Sequence, residues 1–215
     1  METIKSFFSL RLNTYIISKR CLDIFSAVLL LVLLSPVILV VTVVLYLMPR
    51  HNVIFKQERI GQNRKKFRIV KFCTMVNNAE NVLKDNTLLY QEFVENGYKL
   101  DQNKDPRITK VGSFLRKSSI DEIPQLINVL KGDMSLVGPR PVINSELKEY
   151  GDQKDLFLSA KPGITGYWQV SGRSNVGYPE RKELELFYIE KKSFTFDISI
   201  IFKTVKVVLT KNGAC

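Results

Sequence analysis

The sequence predicts a mostly helical α+β fold, in which a re-entrant membrane helix hairpin precedes a small cytosolic domain with a short β-hairpin and interfacial amphipathic helices. Three observations support it. An uncharged run of 25 residues covers 24–48. Two apolar stretches around a glycine-containing turn follow within 53–72, which is typical of a β-hairpin. Most segments after residue 75 have the apolar spacing of helices.

The uncharged run has the length of a membrane segment and a helix breaker near its centre. As one straight helix its 25 residues would extend about 37 Å, more than the hydrocarbon thickness of about 30 Å. Ser35-Pro36 lies at mid-run, where the proline removes a backbone hydrogen bond and bends the axis. We expect the Ser35 hydroxyl to bind a backbone carbonyl at this bend.

Basic residues flank the run on both sides. Lys19 and Arg20 precede it, and eight Lys and Arg residues follow closely, against the single acid Glu58. Because basic residues prefer the cytoplasmic side of a membrane, the pattern favours a re-entrant helix over 19–50 that leaves on the side it entered. On these grounds a kinked single span stays an open alternative. A cleaved signal peptide fits poorly, because the run is too long and begins too late.

The remaining elements form an amphipathic lead-in over 1–18 and one cytosolic domain over 51–215. Glu183 and Glu185 are predicted to lie on a solvated helix face. For the last helix, a place in the membrane interface and a place in the core are both open. In chain order, the domain's predicted elements are strands at 53–55 and 67–72, helices at 75–96, 111–115 and 121–130, a stop at Gly132, a rigid segment at 138–141 and helices at 179–191 and 194–209.

The charge balance narrows the classes of function. The chain has 32 Lys and Arg against 21 Asp and Glu, a formal net charge of +11. Beside a membrane segment, this excess indicates anionic lipid and phosphate-bearing substrate rather than nucleic acid. Three cysteines without metal-ligand spacing indicate reduced thiols in a cytosolic compartment. The single histidine, His51, excludes a multi-histidine metal site.

Asp121-Glu122 is the strongest candidate for chemistry. Adjacent helical residues point about 100° apart, so both acids can approach one ligand only from a helix end, whose positive dipole would favour their ionised forms. If Asp121 is near the N-cap, Pro124 falls in the first turn, where its missing N–H costs nothing. Two carboxylates suit Mg²⁺, which commonly binds one or two acids together with substrate phosphates. A simple capping role is the competing interpretation.

Several arginines favour a phosphate-binding function. Each lies beside loop-forming or helix-start residues, and guanidinium groups match phosphate oxygens, of which a diphosphate offers several. For any one of them an ordinary surface position is the alternative. The four are Arg107, Arg116, Arg140 and Arg173.

The segment from Lys117 to Pro141 resembles the bacterial sugar transferases, the monotopic phosphoglycosyl transferases that act on undecaprenyl phosphate. It contains Ser118-Ser119-Ile120-Asp121-Glu122-Ile123-Pro124-Gln125 and ends in Gly138-Pro139-Arg140-Pro141. The matches run in family order from residue 19 to about residue 213. The others are Lys19-Arg20 with Asp23, Ser35-Pro36, Phe55 to Arg59 with Gly61, Lys71-Phe72, Pro162 to Gly166, Gln169-Val170 and Gly172-Arg173.

The resemblance implies an enzyme of the bacterial inner membrane with its catalytic domain in the cytoplasm. It implies transfer of a sugar-1-phosphate from a UDP-sugar to undecaprenyl phosphate, with release of UMP, at the start of a surface glycan such as capsule or exopolysaccharide. Asp121 matches the family's nucleophile, which would form an aspartyl-phosphosugar intermediate. Glu122 matches its partner acid in an Mg²⁺-dependent pair.

The resemblance also implies the substrate-binding residues and the surroundings of the chain. Inner-leaflet lipids are the expected environment, and a homodimer is compatible with the sequence without being required. Cys73 departs from the family, whose members usually carry a basic residue there. Without the multi-helix N-terminal extension of some members, the chain resembles the minimal catalytic form. The implied substrate-binding residues are Lys71, Arg116, Gln125, Arg140 and Arg173.

Overall fold

Two helices joined at a sharp bend form the N-terminal part of the fold. The computed structural model describes residues 2–49, 51–96, 100–101, 105–172 and 176–210, with side chains from 14 to 208 within these ranges. Helix α1 covers Glu2–Leu33 and α2 covers Ser35–Leu47, and the two are bent by 61°. The Ser35 hydroxyl donates to the Val32 carbonyl at 2.8 Å, so the predicted bend and its serine hydrogen bond are confirmed.

The helix pair exposes a large apolar surface. Within the described ranges, no helix taken alone is long and apolar enough to cross a bilayer, whereas Thr14–Leu33 and Ser35–Leu47 together meet both conditions. Helix α1 continues through residue 18 without a break, so the predicted lead-in and the first half of the run share one helix. The exposed apolar side chains of the pair include Phe25, Val32, Leu39, Val40 and Leu47.

The predicted β-hairpin is confirmed. Strand β1, Ile54–Ile60, pairs antiparallel with β2, Lys66–Phe72, and β1 extends five residues beyond the predicted Phe55. Side chains alternate between the two faces of a strand, so Phe67, Ile69 and Lys71 share one face of the hairpin. Arg59 is the cross-strand partner of Phe67 and points to that same face.

The predicted helix over 75–96 is wrong in its extent. Met75 forms a β-bridge with Ile108, and Asn86 interrupts the helical run, because its side chain accepts a hydrogen bond from the Leu89 N–H as a helix cap. The next predicted helix is confirmed, capped by Thr109 through the Gly112 N–H. The three helices are α3 at Ala79–Asp85, α4 at Thr87–Glu95 and α5 at Lys110–Lys117.

The predicted helix over 121–130 has two parts. A 3₁₀ helix covers Ile120–Gln125, and α6 covers Leu126–Lys131. The tighter first part has a physical cause, since the Pro124 ring would clash with the carbonyl four residues back in an α-helix. Gly132 adopts φ +85° and ends α6 as predicted.

A second, parallel pair of strands carries the Gly138–Pro141 segment. Strand β3, Ser135–Val137, pairs with β4, Gly163–Thr165. A Cβ added to Gly163 would lie 2.1 Å from the Gly138 nitrogen, so only glycine allows this approach. Between and after these strands lie a 3₁₀ helix at Asn144–Gln153, α7 at Lys154–Phe157 and α8 at Tyr167–Ser171.

The last two helices complete the core. Helix α9 covers Glu180–Lys191 and α10 covers Phe194–Thr210. Helix α10 buries Ile200 and exposes Phe202, so it has both a core-facing side and an apolar side turned outward. Glu185 is 2% exposed, so the predicted solvated position of this residue is wrong.

A polar clamp attaches α1 to the domain just before the uncharged run. Lys19 pairs with buried Asp197 at 2.7 Å. The Arg20 guanidinium donates to the carbonyls of Val129 and Leu130 at the end of α6, at 2.7 and 2.8 Å. The Asp23 carboxylate accepts from the β3 backbone. The clamp therefore fixes α1 against the segment that follows Asp121-Glu122.

Removal of the Arg20 side chain tests this clamp. We expect Arg20→Ala to lower the free energy of unfolding by about 2–3 kcal/mol, because two charge-assisted hydrogen bonds to helix-terminal carbonyls are lost. Denaturant unfolding in detergent micelles measures the change. Arg64→Ala is the matched control, because Arg64 pairs only with exposed Asp155 among the described residues, and we expect less than about 0.5 kcal/mol. Equal effects of the two substitutions would contradict the clamp.

Candidate active site

One cleft brings four of the predicted site residues together. One face of the hairpin, the 3₁₀ helix Ile120–Gln125, the segment after β3 and helix α8 border it. Four predicted residues lie in its lining: Lys71, Glu122, Gln125 and Arg140. The hairpin face explains the position of Lys71, because the alternation that buries Ile69 also turns Lys71 inward.

A tight turn at Ser119 orients the side chains of the acid pair. Ser119 adopts a left-handed conformation with φ +57°, which is uncommon for a residue other than glycine. Its carbonyl accepts the Glu122 N–H at 3.3 Å, and the chain passes directly from α5 into the 3₁₀ helix. Asp121 is consequently buried, while the Glu122 side chain stays partly open to the cleft.

Glu122 is held by a lysine from the hairpin. Lys71 Nζ lies 2.6 Å from Glu122 Oε1, and the Gln125 side chain also bonds this carboxylate. Burial alone would raise the pKa of Glu122, but Lys71 and Arg140 overcome that effect and hold the pKa below its ordinary value. Glu122 is therefore ionised at neutral pH.

Asp121 has the opposite character. Burial raises its pKa to about 6, and the Glu122 charge adds to the rise, while Lys71 and Arg116 counteract it. A hydrogen bond from the Asp121 backbone N–H lowers this pKa, but the effect of burial is larger. The stabilisation of the ionised form by a helix end stays a prediction. Arg116 is fixed beside it by a 2.8 Å hydrogen bond from Nε to Thr74 Oγ1.

Arg140 is held from behind by a buried network. Its backbone N–H donates to Glu185 Oε1 at 3.0 Å, and its guanidinium lies 5.8 Å from the Trp168 ring centre. Arg181 is within 4.6 Å of that ring and pairs with Glu185 at 3.5 Å. Glu185, which was predicted to be solvated, therefore binds the backbone of Arg140, an arginine of the cleft lining.

Two further cleft residues, Arg59 and Gln169, were not predicted as site residues. Arg59 donates to the Pro141 carbonyl at 3.3 Å and pairs with Glu146 at 3.4 Å. In the described part of the chain, its Nε and the Gln169 Oε1 are buried without a hydrogen-bond partner. The strand alternation of β1 could have indicated Arg59. Gln169 has no local signal apart from its place in a matched segment.

Asp121 and three predicted arginines are not in the described cleft lining. Of the arginines, Arg116 lies beside Asp121. Arg107 is buried and forms a two-pronged salt bridge with Asp105, with both hydrogen bonds at 2.8 Å. Arg173 lies outside the described residues.

The sequence of this chain matches a known protein family and several of its members. The model of a family described as bacterial sugar transferase matches residues 14–211. This chain belongs to the bacterial sugar transferase family. An undecaprenyl-phosphate galactose phosphotransferase of Salmonella typhimurium is 45% identical over 91% of this chain. An exopolysaccharide production protein ExoY of Sinorhizobium fredii is 41% identical over 92% of it. A UDP-galactose-lipid carrier transferase of Erwinia amylovora is 43% identical over 91% of it.

The relatives differ in length from this sugar transferase. The chain spans 41% of the Salmonella protein and 41% of the Erwinia protein, but 88% of the Sinorhizobium protein. The family assignment therefore applies to the part of each relative that the match covers.

The acid pair of this sugar transferase has the donor set of a hard cation. Among the described residues no group of three or more His, Cys, Asp or Glu could hold a metal ion. The acid pair offers two carboxylates. Mg²⁺ is commonly bound by one or two acids, with substrate phosphates and water completing its shell. Asp121 is buried beside a second negative charge, which a cation would offset. The residues fit Mg²⁺ in this form.

The raised pKa of Asp121 predicts a stability change with a defined pH window. A carboxyl that is harder to ionise in the folded protein destabilises it at high pH, and this cost disappears as the pH falls from about 6 towards 4. We expect Asp121→Asn to raise the free energy of unfolding at pH 8 by an amount on the order of 2 kcal/mol, and to have little effect near pH 4.

Glu122→Gln is the control of opposite sign. The lowered pKa of Glu122 means that its ionised form stabilises the folded protein above pH 5, and that this contribution is lost on acidification. Glu122→Gln should therefore destabilise the protein at pH 8. Denaturant titrations at the two pH values measure both changes. Destabilisation by Asp121→Asn at pH 8 would show that Asp121 is not a strained, buried acid.

Proposed function

We propose that this chain transfers a sugar-1-phosphate from a UDP-sugar to undecaprenyl phosphate, releases UMP, and starts the synthesis of a bacterial surface glycan. The names of the relatives support this class of donor and acceptor. The observation that carries the proposal is the Glu122–Lys71 pair in one cleft with Arg59 and Arg140, with buried Asp121 next to Glu122 in the chain. Such a cleft suits a substrate with two phosphates near a nucleophilic carboxylate.

The two acids have different roles in the proposed reaction. Asp121 is the better nucleophile, because its carboxylate is more basic and forms no salt bridge among the described residues, whereas Glu122 is bound by Lys71 and Gln125. An Asp121 oxygen attacks the sugar-bearing phosphorus, and the bond to UMP breaks. A phosphate oxygen of the lipid then attacks the same phosphorus, which releases Asp121 and gives the polyprenyl diphosphate sugar.

The basic residues bind and orient the diphosphate in this proposal. Arg59 and Arg140 contribute positive charge to the cleft, and Arg140 is held in place through its backbone by Glu185. Arg116 lies on the Asp121 side and favours the ionised carboxylate. Mg²⁺ held by Asp121 and Glu122 would neutralise phosphate charge.

The bent helix pair supplies the proposed membrane attachment. Many of its large apolar side chains are exposed, and large exposed apolar patches mark contact sites for membranes or other proteins. The Arg20 bonds to α6 connect that surface to the segment next to the acid pair. We propose that the pair is re-entrant in the cytoplasmic leaflet of the inner membrane, where it brings the acids to the depth of lipid phosphates. Inner-leaflet lipids would then surround α1 and α2.

Activity of variants tests the proposed function. With undecaprenyl phosphate and a panel of UDP-sugars, we expect the wild-type protein to release UMP from at least one donor. Asp121→Asn should reduce the rate by about 10³-fold or more, because a nucleophile is lost. Asp155→Asn, an exposed acid paired with Arg64, is the matched control and should keep the wild-type rate. UMP release by Asp121→Asn at the wild-type rate would exclude the proposed nucleophile.

Thiol labelling tests the membrane topology. Cys21 is exposed and lies before the uncharged run, and Asn52 follows it. In one variant Cys21 is the sole cysteine, and in another all native cysteines are serine and Asn52 is replaced by cysteine. A re-entrant pair predicts that an impermeant maleimide labels both variants in inside-out vesicles and neither in right-side-out vesicles. Labelling from opposite sides would show a single span.

A further inference from the structure

Lys71 forms a salt bridge with Glu122, one of the two acids that bind the cation in the proposed function. Its Nζ lies 2.6 Å from Glu122 Oε1, and its charge also acts on Asp121. Lys71 projects from the rigid hairpin, and its side chain is 21% exposed, so the ammonium has room to move towards the cleft. In the free protein, Lys71 is therefore the counter-ion of the acid pair.

An ammonium and a divalent cation compete for this acid pair. A bound Mg²⁺ lies about 2.0–2.1 Å from each carboxylate oxygen it contacts. An ammonium at hydrogen-bond distance from the same carboxylate would be only a few ångströms from that ion. Repulsion between the two charges is strong at such a separation in a partly buried site. Binding of the cation thus favours release of Lys71 from Glu122.

A released lysine needs another anion. Unpaired charge in a partly buried cleft is costly, and the described cleft lining offers no second carboxylate besides Glu122. The same lining places Arg140 and Arg59 with Lys71, and this combination suits phosphate oxygens. The lysine side chain has several rotatable bonds, so the ammonium can shift while the strand stays in place.

We propose that Lys71 is an exchangeable counter-ion, which pairs with Glu122 in the free protein and passes to a phosphate oxygen of the nucleotide diphosphate when a divalent cation binds the acids. The proposal rests on the proposed function for the identity of the diphosphate. One consequence is coupling: the cation frees the lysine for the donor, and the donor stabilises the released lysine, so each ligand favours the other. In the free protein, Lys71 weakens cation binding.

The variant Lys71→Met tests this exchange, because loss of the lysine should strengthen cation binding and weaken nucleotide binding. At pH 8, with both acids ionised, we expect the variant to bind Mn²⁺ about tenfold more tightly than wild type without nucleotide, since no ion pair has to be broken. With saturating Mn²⁺, we expect it to bind UDP about tenfold more weakly, since one charged donor to phosphate is missing. Electron paramagnetic resonance measures free Mn²⁺, and calorimetry measures UDP binding.

Lys66→Met is the matched control. Lys66 is on the same strand and pairs with Glu58 at 2.8 Å, but that pair is exposed on the hairpin and is not in the cleft lining. This variant should keep wild-type affinity for both Mn²⁺ and UDP. Lys71→Arg keeps the positive charge, so its Mn²⁺ affinity should stay near that of wild type. It also provides the comparison if Lys71→Met does not fold.

The outcomes distinguish this proposal from the proposed function. Equal or weaker Mn²⁺ binding by Lys71→Met, including no binding by either protein, would overturn the exchange. Unchanged UDP affinity would overturn it as well, because the lysine would then have no phosphate partner. If the wild-type protein released no UMP from any donor, the transfer reaction would be wrong, while opposite shifts in Mn²⁺ and UDP affinity would still establish the exchange of partners.

Discussion

The site depends on the contact of Lys71 with two adjacent acids, of which Asp121 is buried and Glu122 is partly exposed. Burial raises the pKa of Asp121 and the Glu122 charge adds to the rise, whereas at Glu122 the charges of Lys71 and Arg140 outweigh burial. The lysine keeps Glu122 ionised, while Asp121 stays basic with a pKa of about 6. The contact between the hairpin and the 3₁₀ helix therefore contributes to the different pKa values of the neighbouring acids. The left-handed turn at Ser119 makes that contact geometrically available.

The clamp at the start of the uncharged run connects this site to the bent helix pair. Arg20 binds the terminal carbonyls of α6, the helix that follows the acid pair without an intervening loop. Lys19 and Asp23 bind α10 and β3. Three elements of the domain thus hold α1 in position. In the proposed enzyme, the depth of the apolar pair in the leaflet would fix the depth of the nucleophile.

Features that depend on the backbone preferences of single residues were predicted correctly from the sequence. Pro36 bends the helix, Gly132 ends α6, and the turn at Gly61 joins the hairpin, because backbone geometry alone decides each of them. Burial of Glu185 was not predictable, since a charged helix pattern does not show that Tyr150 and Arg181 lie opposite. The same limit applies to Arg107. Its place beside loop residues suggested a phosphate ligand, but the sequence pattern does not show its pairing with Asp105. The resemblance, rather than spacing, brought Lys71 and Gln125 into the predicted site.

The central claim is that Asp121 carries the sugar phosphate between two substrates. Incubation with a UDP-sugar, labelled in the sugar-bearing phosphate and supplied without lipid acceptor, tests this claim most directly. We expect the label to become attached to the protein at Asp121 and UMP to be formed in equal amount. Added undecaprenyl phosphate should then remove the label. A protein that stays unlabelled and forms UMP only when both substrates are present would contradict it, because transfer would then occur in a single step.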